Sequence, residues 1–551
     1  MNGANLVVEV LKDEKVDTVF GYPGGAVIPL FDALYDQELF VVRTCHEQNL
    51  LHGADGYSRV SGKVGVAIAT SGPGATNTIT GIANAYMDSI PLVVITGQVP
   101  SSFIGKDSFQ EIDITGMTFS ITKHNFLVRD INELQETLHK AFIIAKEGRP
   151  GPVLVDIPKD IFLAEISYKK ELKMTVKNNM KSNYVNKNRV TNKELDEVCN
   201  MIDQAKRPVF YIGGGLIKSG CCDIFRKVLK KTNIPVVNTL MGMGIVKSDD
   251  RLAYGMLGMH GFEEANQAVY NSDLLIAIGV RFSDRALGDK SKFQKNGKII
   301  HIEFDENELN KNIEAYKSIN GELFNILNYL MISLKDKKLN ERLNWLKEID
   351  SYKLKRDDNL FSVRNIIRRI NKNYKDSFVA TDVGQHQMFC AQEWNFQKEN
   401  AFLTSGGLGT MGCGLGLSIG ASIASKEEVV LITGDGSFKM SLNEVATIVE
   451  YDLPVKIFLM NNSTLGMVRQ WQKHFCDERY SSTDINTGFD FTNLLNAFNM
   501  NSFKATNFEE LEEALKKDVN KPFFVECVIN KDDHVYPLVP PAKSIAEYIS
   551  K

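Results

Sequence analysis

With 551 residues, 43% of them hydrophobic, the chain is long enough for three or four domains at roughly 150 residues each. Its 64 basic residues nearly balance 68 acidic ones and leave a net charge of −4, so small molecules are expected as ligands, with no nucleic acid and no membrane surface as partner. The longest apolar runs are strand-sized, far below the roughly 20 residues of a membrane span, and the opening Met1-Asn2-Gly3-Ala4 has neither a charged leader nor an apolar export segment, so a cytoplasmic protein is expected.

From residue 5 to residue 162, apolar runs at 18–20, 41–43, 64–70, 92–96 and 153–157 alternate with helix-like segments. That alternation predicts a parallel sheet with helices on both faces, in a first domain over 1–167. Gly21-Tyr22-Pro23-Gly24-Gly25 follows the first of these strands, and its glycines permit a ligand to approach the backbone. On residues alone it reads equally well as a plain turn. Glu47, just past the second strand in His46-Glu47-Gln48, has the position of a helix-capping or dipole-facing carboxylate. Further loops follow at residues 70–77 and at Phe109-Gln110-Glu111, where Phe109 could equally be core. Arg149-Pro150-Gly151-Pro152 and the run 156–160, which holds Lys159, close the domain.

Residues 168–189 are rich in Lys and Asn and are expected to be a solvated linker. A second α/β domain is expected over 190–334. There a strand at 208–212 leads into Gly213-Gly214-Gly215 and a helix, a turn suited to a pyrophosphate although not a strict G-x-G-x-x-G. Other strand-end loops carry Thr239 and Leu240, then Leu257, Gly258, Met259 and His260, then Gly279, Arg281 and Arg285. Taken singly, His260 reads as a structural histidine. The eight cysteines follow no paired spacing, only Cys221 and Cys222 being adjacent, and read as reduced thiols. A charged stretch at 335–360 is expected to be a second linker.

The third domain, 361–551, carries Gln385 and His386 after a strand at 378–381, and a Gly-rich loop with Gly409 and Met411. Its centre is the apolar run 429–432 followed by Thr433-Gly434-Asp435-Gly436-Ser437, a helix-length segment, and a second apolar run ending in Asn461-Asn462. A strand, crossover and parallel strand would return Asn462 beside Asp435 at the carboxyl ends of the sheet, where open α/β sheets bind ligands. A carboxylate, an amide oxygen and a backbone carbonyl facing a diphosphate make an oxygen-only site suited to Mg²⁺. A lone Gly-Asp-Gly is commonly just a turn; the Asn-Asn on a second strand reverses that reading.

The motif from Gly434-Asp435-Gly436 to Asn461-Asn462 resembles the thiamine diphosphate and magnesium motif of the thiamine-dependent decarboxylases and carboligases. Leu465-Gly466-Met467-Val468-Arg469-Gln470-Trp471-Gln472 narrows the resemblance to acetohydroxyacid (acetolactate) synthase large catalytic subunits. The resemblance implies an α/β fold of three doubly wound parallel-sheet domains: pyrimidine-binding, central FAD-binding-like and diphosphate-binding. It implies Asp435, Asn462 and the Thr464 carbonyl as metal ligands. For thiamine diphosphate it implies Tyr22, Pro23, Glu47, Gln385, His386, Gly409, Met411, Gly436, Ser437 and Met467, with Glu47 opposite N1′ of the pyrimidine and Met411 as the wedge that bends the cofactor. Gly25 and Gln110 would join Glu47 at the reaction centre. For FAD it implies Arg149, Gly213, Gly214, Gly215, Thr239, Leu240, Leu257, Gly258, Met259, His260, Gly279, Arg281, Arg285, Glu303 and Glu322. Phe109, Lys159, Arg285 and Trp471 would meet substrate.

The implied reaction decarboxylates pyruvate and joins the two-carbon unit to pyruvate or 2-ketobutyrate, the first shared step of branched-chain amino-acid synthesis. The alternatives are a flavin-independent catabolic acetolactate synthase, a pyruvate oxidase-like enzyme, or a non-catalytic paralogue. A homodimer or homotetramer is implied, with Glu47 and Asp435 of one site on different chains, together with a regulatory small subunit. The chain departs from the family at Ser283 and Glu322, where Asp is usual, at Gly416, where Pro is usual, and at Asn49-Leu50-Leu51, where small residues are usual. The first two departures bear on FAD, and Gly416 is expected to loosen the start of its helix. Val535-Tyr536-Pro537 and the residues to 541 resemble a tail that closes over the site.

Overall fold

Central strands of this chain are apolar without alternation: GVAIA at 65–69 and LLIAI at 274–278 are buried at every position. Strands of that kind must be covered on both faces, as in a parallel sheet between helices. The computed structural model describes all residues except 170, 184–189, 338, 355–358, 486, 487, 519, 520 and 551. It contains three six-stranded parallel sheets.

The first comprises β1 (Thr18–Gly21), β2 (Phe40–Val42), β3 (Gly65–Ala69), β4 (Leu92–Gln98), β5 (His124–Leu127) and β6 (Pro152–Pro158), in the order β2-β1-β3-β4-β6-β5. The second comprises β7 (Pro208–Ile212), β8 (Val236–Asn238), β9 (Ala253–Met256), β10 (Leu274–Ile278), β11 (Lys298–Glu303) and β12 (Lys317–Asn320), in the order β12-β11-β10-β7-β8-β9. The third comprises β13 (Phe378–Thr381), β14 (Phe402–Leu403), β15 (Val429–Gly434), β16 (Val455–Asn461), β17 (Asn501–Ala505) and β18 (Phe523–Val528), in the order β14-β13-β15-β16-β18-β17.

With β13 matched to β1, the first and third sheets have the same strand order. The second has the order in which β7 and β10 are central neighbours, that of dinucleotide-binding folds. Each sheet therefore has a switch point where chain direction across the sheet reverses: between β1 and β3, between β7 and β10, and between β13 and β15. The loops that leave those strands touch there. A Cβ on Gly24 would stand 2.5 Å from Thr70 Cβ, one on Gly213 2.3 Å from the Gly279 oxygen, and one on Gly434 2.9 Å from His386 Nδ1.

The first and third sheets share one core, in which Leu50, Ala54 and Tyr57 pack with Leu417, Ile419 and Leu431. The contact runs through the helices Glu47–Ser61 and Gly414–Ser425. A Cβ on Gly56 would lie 2.2 Å from the Leu417 oxygen, and one on Gly420 1.9 Å from the Gly53 oxygen. Those atoms are backbone, so the helices touch main chain to main chain.

Two stretches expected as linkers pack on the domains beside them. Residues 172–183 form a helix, and Val176 on it is buried. Lys169 exchanges hydrogen bonds with Gln135, at 2.8 and 3.0 Å, which ties the segment to the first domain. In the second stretch the helix Leu343–Asp350 buries Trp345, Leu346 and Ile349 in the core of the middle sheet. High Lys and Asn content in the first stretch and high charge in the second hid the buried face of each helix. The remaining parts of those expectations, at 184–189 and 355–358, lie outside the described residues. Among the described residues no helix is long and apolar enough to cross a membrane, and all eight cysteines are free.

Because the atoms facing Gly420 are main chain, Gly420→Ala forces the two helices apart. It is expected to cost about 1–3 kcal/mol, the range for overpacking. A lowered thermal unfolding transition checks this, and an unmoved one would show that the helix contact yields.

Candidate active site

The third sheet carries a cleft at the carboxyl ends of its central strands, where open α/β sheets bind their ligands. Gln385, His386, Met411, Asp435, Gly436, Ser437, Asn462, Thr464 and Met467 all line it, so residues 82 apart in sequence meet at one strand-end crevice. Three helices begin at its wall: Gln385–Glu393, Asp435–Ser441 and Gly466–Phe475. Their unpaired N–H groups and positive dipole ends favour an anion between them. Gly466, which starts the third of them, sits close against side chains of the cleft: a Cβ there would lie 2.0 Å from Gln385 Oε1.

The polar groups of the cleft suit a diphosphate held through a divalent ion. Burial pushes Asp435 up to about 6, and the Lys439 ammonium and nearby backbone N–H groups offset it only in part. Asn462 Oδ1 accepts from the Thr464 N–H at 3.1 Å, which folds the turn so that both residues face Asp435 across the cleft. His386 is held down to about 4 by burial and is neutral, and its Nε2 has no protein partner. Among the described residues no cluster of three or more His, Cys, Asp or Glu could hold a metal alone. One carboxylate with neutral oxygens needs phosphate co-ligands, the Mg²⁺ preference.

A second group of predicted residues gathers at the switch point of the first sheet. Glu47 heads its helix and its Oε2 accepts from Asn77 Nδ2 at 3.0 Å. A Cβ on Gly74 would stand 3.4 Å from Glu47 Oε1, and one on Gly72 3.0 Å from Gln110 Cα. Tyr22 is hydrogen-bonded through its N–H to the Ile68 oxygen at 3.0 Å, Pro23 is exposed beside it, and Gly25 has open space on its side-chain face. Phe109 is 89% exposed on the loop between β4 and the helix Ile114–Thr118. That loop is closed at its base by Gln98, whose Nε2 donates to the Ile112 oxygen at 2.8 Å and to Asp156 Oδ2 at 2.9 Å. None of these first-sheet residues lines the cleft of the third sheet.

The FAD candidates stand just beyond the carboxyl ends of the second sheet. Gly213, Gly214 and Gly215 follow β7, Thr239 and Leu240 follow β8, Leu257 to His260 follow β9, and Gly279, Arg281 and Arg285 follow β10. Glu303 ends β11, where burial pushes it up to about 7, and Glu322 lies exposed past β12. His260 is buried, held down to about 4, with Nδ1 3.2 Å from the Pro537 oxygen. Arg149 reaches this end from the first domain and donates to Glu308 Oε1 at 2.8 Å. Ser283 precedes the short helix Asp284–Leu287 without a side-chain bond to its first turn. The four substrate candidates are spread over three sheets: Phe109 and half-buried Lys159 on the first, Arg285 with a 68% exposed side chain on the second, half-buried Trp471 on the third. The tail does reach this region, because Gln470 bonds both the N–H and the carbonyl of Val535, at 3.0 and 2.8 Å.

Residue-by-residue reading missed Asp382. It is fully buried at the end of β13 and accepts from the N–H groups of Gly412 and Gly414 at 2.9 and 2.8 Å, which fixes the turn after Met411. Its place three residues before Gln385, at the end of the strand, is the available signal. Asn77 lies in the loop at 70–77, and only the fold brings it to Glu47.

Three family models match the chain: "Thiamine pyrophosphate enzyme, N-terminal TPP binding domain" over residues 1–117, the central domain over 195–330, and the C-terminal TPP binding domain over 382–527. The chain is 42% identical over 555 residues to the acetolactate synthase isozyme 2 large subunit of Escherichia coli, with all of both chains covered. It is 41% identical to a probable acetolactate synthase large subunit of Methanocaldococcus jannaschii, covering 100% of this chain and 95% of that one. To the acetolactate synthase large subunit of Cyanidium caldarium it is 39% identical, covering 99% and 96%.

Asp156 supplies a test of the loop anchor. Burial raises its carboxyl from 3.8 to about 7, and its partners Thr96 and Gln98 are uncharged. Between those values the folded chain holds a proton that the unfolded chain releases. Stability from the protonated group is therefore complete below the unfolded value and falls as pH rises through about 7. Thermal melting of Asp156→Asn beside the parent protein should shift in the variant's favour from pH about 5 to about 8; a constant difference would remove the titration.

Proposed function

The chain belongs to the thiamine pyrophosphate enzymes and, within them, to the acetolactate synthase large subunits, and on that premise we propose that it decarboxylates pyruvate and joins the two-carbon unit to a second 2-ketoacid. The observation that carries this is the pairing of two equivalent strand ends. One holds Asp435, Asn462, Thr464 and neutral His386 around an anion-seeking cleft; the other holds Glu47 on Asn77.

Asp435, Asn462 and the Thr464 carbonyl would hold Mg²⁺, and His386, Gln385, Gly436 and Ser437 would face the diphosphate, with Gly409 opening the turn into Met411. Met411 and Met467 would give the cleft its apolar wall. Thiamine diphosphate, when bound, supplies the electron sink for the carbanion left as CO₂ departs. With Oε2 occupied by Asn77, Glu47 would use Oε1 to pass a proton to and from a pyrimidine nitrogen of the bound cofactor. Glycine at 74 leaves Oε1 open, and glycine at 25 leaves room for substrate.

Because Glu47 lies outside the cleft of its own chain, a second copy is proposed to complete each site, as a homodimer or a dimer of dimers. The middle sheet is proposed to hold FAD along its strand ends; its strand order and the row of candidates from Gly213 to Glu322 support this. Neither Ser283 nor Glu322 removes hydrogen-bonding capacity there. Trp471 and Arg285 are proposed to face the acceptor ketoacid, an indole wall for its alkyl group and a guanidinium for its carboxylate. Pyruvate and 2-ketobutyrate are the proposed acceptors, and the relatives' designation as large subunits supports a regulatory small subunit as partner.

An acetolactate assay on the purified protein, omitting thiamine diphosphate, Mg²⁺ and FAD in turn, tests the reading. Activity is expected to depend on the first two, and a yellow protein that forms acetolactate without consuming oxygen separates it from a pyruvate oxidase and from a flavin-free synthase. Glu47→Gln should lower the rate by about 10²–10⁴-fold, the worth of positioned acid–base chemistry; a parental rate would refute the proton role. Trp471→Leu should reduce the preference for 2-ketobutyrate over pyruvate by about tenfold, one methyl in an apolar pocket. An unchanged product ratio takes Trp471 out of the acceptor site.

A further inference from the structure

The helix Ile79–Asp88 ends where the three domains meet, and its last residues bond to all of them. The Met87 oxygen accepts from Arg281 Nη1 of the middle domain at 2.6 Å, and Ser89 Oγ accepts from Arg149 Nε at 2.8 Å. Asp88 stands between them. Its side chain is wholly buried, pairs with Arg59 at 3.0 Å, and accepts from the N–H groups of Gly406 and Gly407 at 3.0 and 2.8 Å. Those glycines open the loop of the third domain that runs to Met411.

The same cluster grips the rest of that loop. Arg59 also pairs with Asp55 at 2.5 Å, and Asn84 Nδ2 donates to Asp55 at 3.0 Å. Asn84 Oδ1 then accepts from Ser405 Oγ at 2.5 Å and from Thr410 Oγ1 at 3.2 Å. Ser405 Oγ in turn accepts from the N–H groups of Gly409 and Thr410, at 3.0 and 2.9 Å. Beyond Met411 the loop is held by Asp382. Met411 is thus clamped from both sides, and one clamp belongs to another domain.

Burying two carboxylates with one guanidinium is a poor route to stability, since each ion loses its hydration. What such a cluster gives is a unique arrangement: each acceptor has a named donor, and the loop fits it in one conformation. Asp55 and Arg59 lie on the helix headed by Glu47. We propose that Asp88 and Ser405 are positioning residues for Met411, so that one buried charge cluster sets both the helix bearing Glu47 and the cleft wall facing thiamine diphosphate. This rests on the proposed function; there, Glu47 and Met411 of one chain serve different sites, and the cluster joins the two sites of a dimer.

The test uses Ser405→Ala and Asp88→Asn in the full-length protein. Thiamine diphosphate binding is followed by tryptophan fluorescence at saturating Mg²⁺, alongside kcat, the KM for pyruvate, and melting of the cofactor-free protein. Loss of a buried bond should raise the half-saturating thiamine diphosphate concentration about tenfold and lower kcat, with the KM for pyruvate within about twofold of the parent. A merely structural role would lower the melting temperature and leave cofactor saturation where it was; that outcome overturns the proposal. Ser405→Ala leaves every charge in place and decides the matter if Asp88→Asn does not fold. Failure of the parent protein to bind thiamine diphosphate would overturn the proposed function, and this role with it, whereas parental affinity in the variants overturns the positioning role alone.

Discussion

Two helices crossing with their backbones in contact set the geometry on which everything else depends. At Gly56 and Gly420, a single added methyl would overlap a backbone carbonyl oxygen or amide nitrogen of the other helix, and neither can rotate away. The relative placement of the first and third sheets is therefore fixed by main chain, which is stiffer than any side-chain contact. Glu47 begins one of these helices, and the loop holding Met411 leads into the other. Their separation is set by the crossing before any ligand is considered.

The same contact explains departures from the family pattern that looked unrelated along the sequence. A Cβ on Gly416 would lie 2.5 Å from His52 Cβ and 3.0 Å from the Asn49 oxygen, so the bulk on one helix occupies the space given up by the other. Gly416 sits inside a helix that begins at Gly414, and its lack of a side chain makes room for the crossing without a break in the helix. Likewise Gly81 admits Leu51, whose Cβ would stand 2.2 Å from a Cβ there. Read as a set, Asn49, Leu51, Gly81 and Gly416 are one packing solution.

Much of the architecture could be read from the chain because parallel strands buried on both faces leave uninterrupted apolar runs. The runs at 64–70, 92–96 and 429–432 all became central strands. The edge strand β5, His124-Asn125-Phe126-Leu127, carries no such mark, because it is half exposed. The linker helices were masked by a polar face. In the site, Asp435 and Asn462 were legible because a crossover brings them together at a predictable distance in sequence, and the cleft collects them with His386 and Met411. Glu47 carried no signal of its own beyond the family pattern. Asp88 could not have been found at all, since its partners Gly406 and Gly407 lie more than 300 residues away and are bonded through backbone N–H groups that any residue possesses.

Buried carboxylates in this protein fall into two kinds, and the difference locates the chemistry. Asp55 and Asp88 face a guanidinium, and Lys218 from the middle domain adds a second positive charge to the same surroundings. Their charge is matched within the protein, so such a group serves architecture. Asp435, Asp156 and Glu303 sit at or near strand ends, where burial drives each toward neutrality at about 6 or 7, Lys439 drawing Asp435 only part of the way back. A carboxyl in that condition either keeps its proton or acquires a positive partner from outside the chain. Asp156 is satisfied by neutral donors from Thr96 and Gln98, and Glu303 by the N–H groups of Phe304 and Asp305. Asp435 differs from both because it alone of the three lines the cleft, between three helix starts that repel cations and draw anions. A cation that arrives with its own anion would suit that position, as a metal diphosphate does.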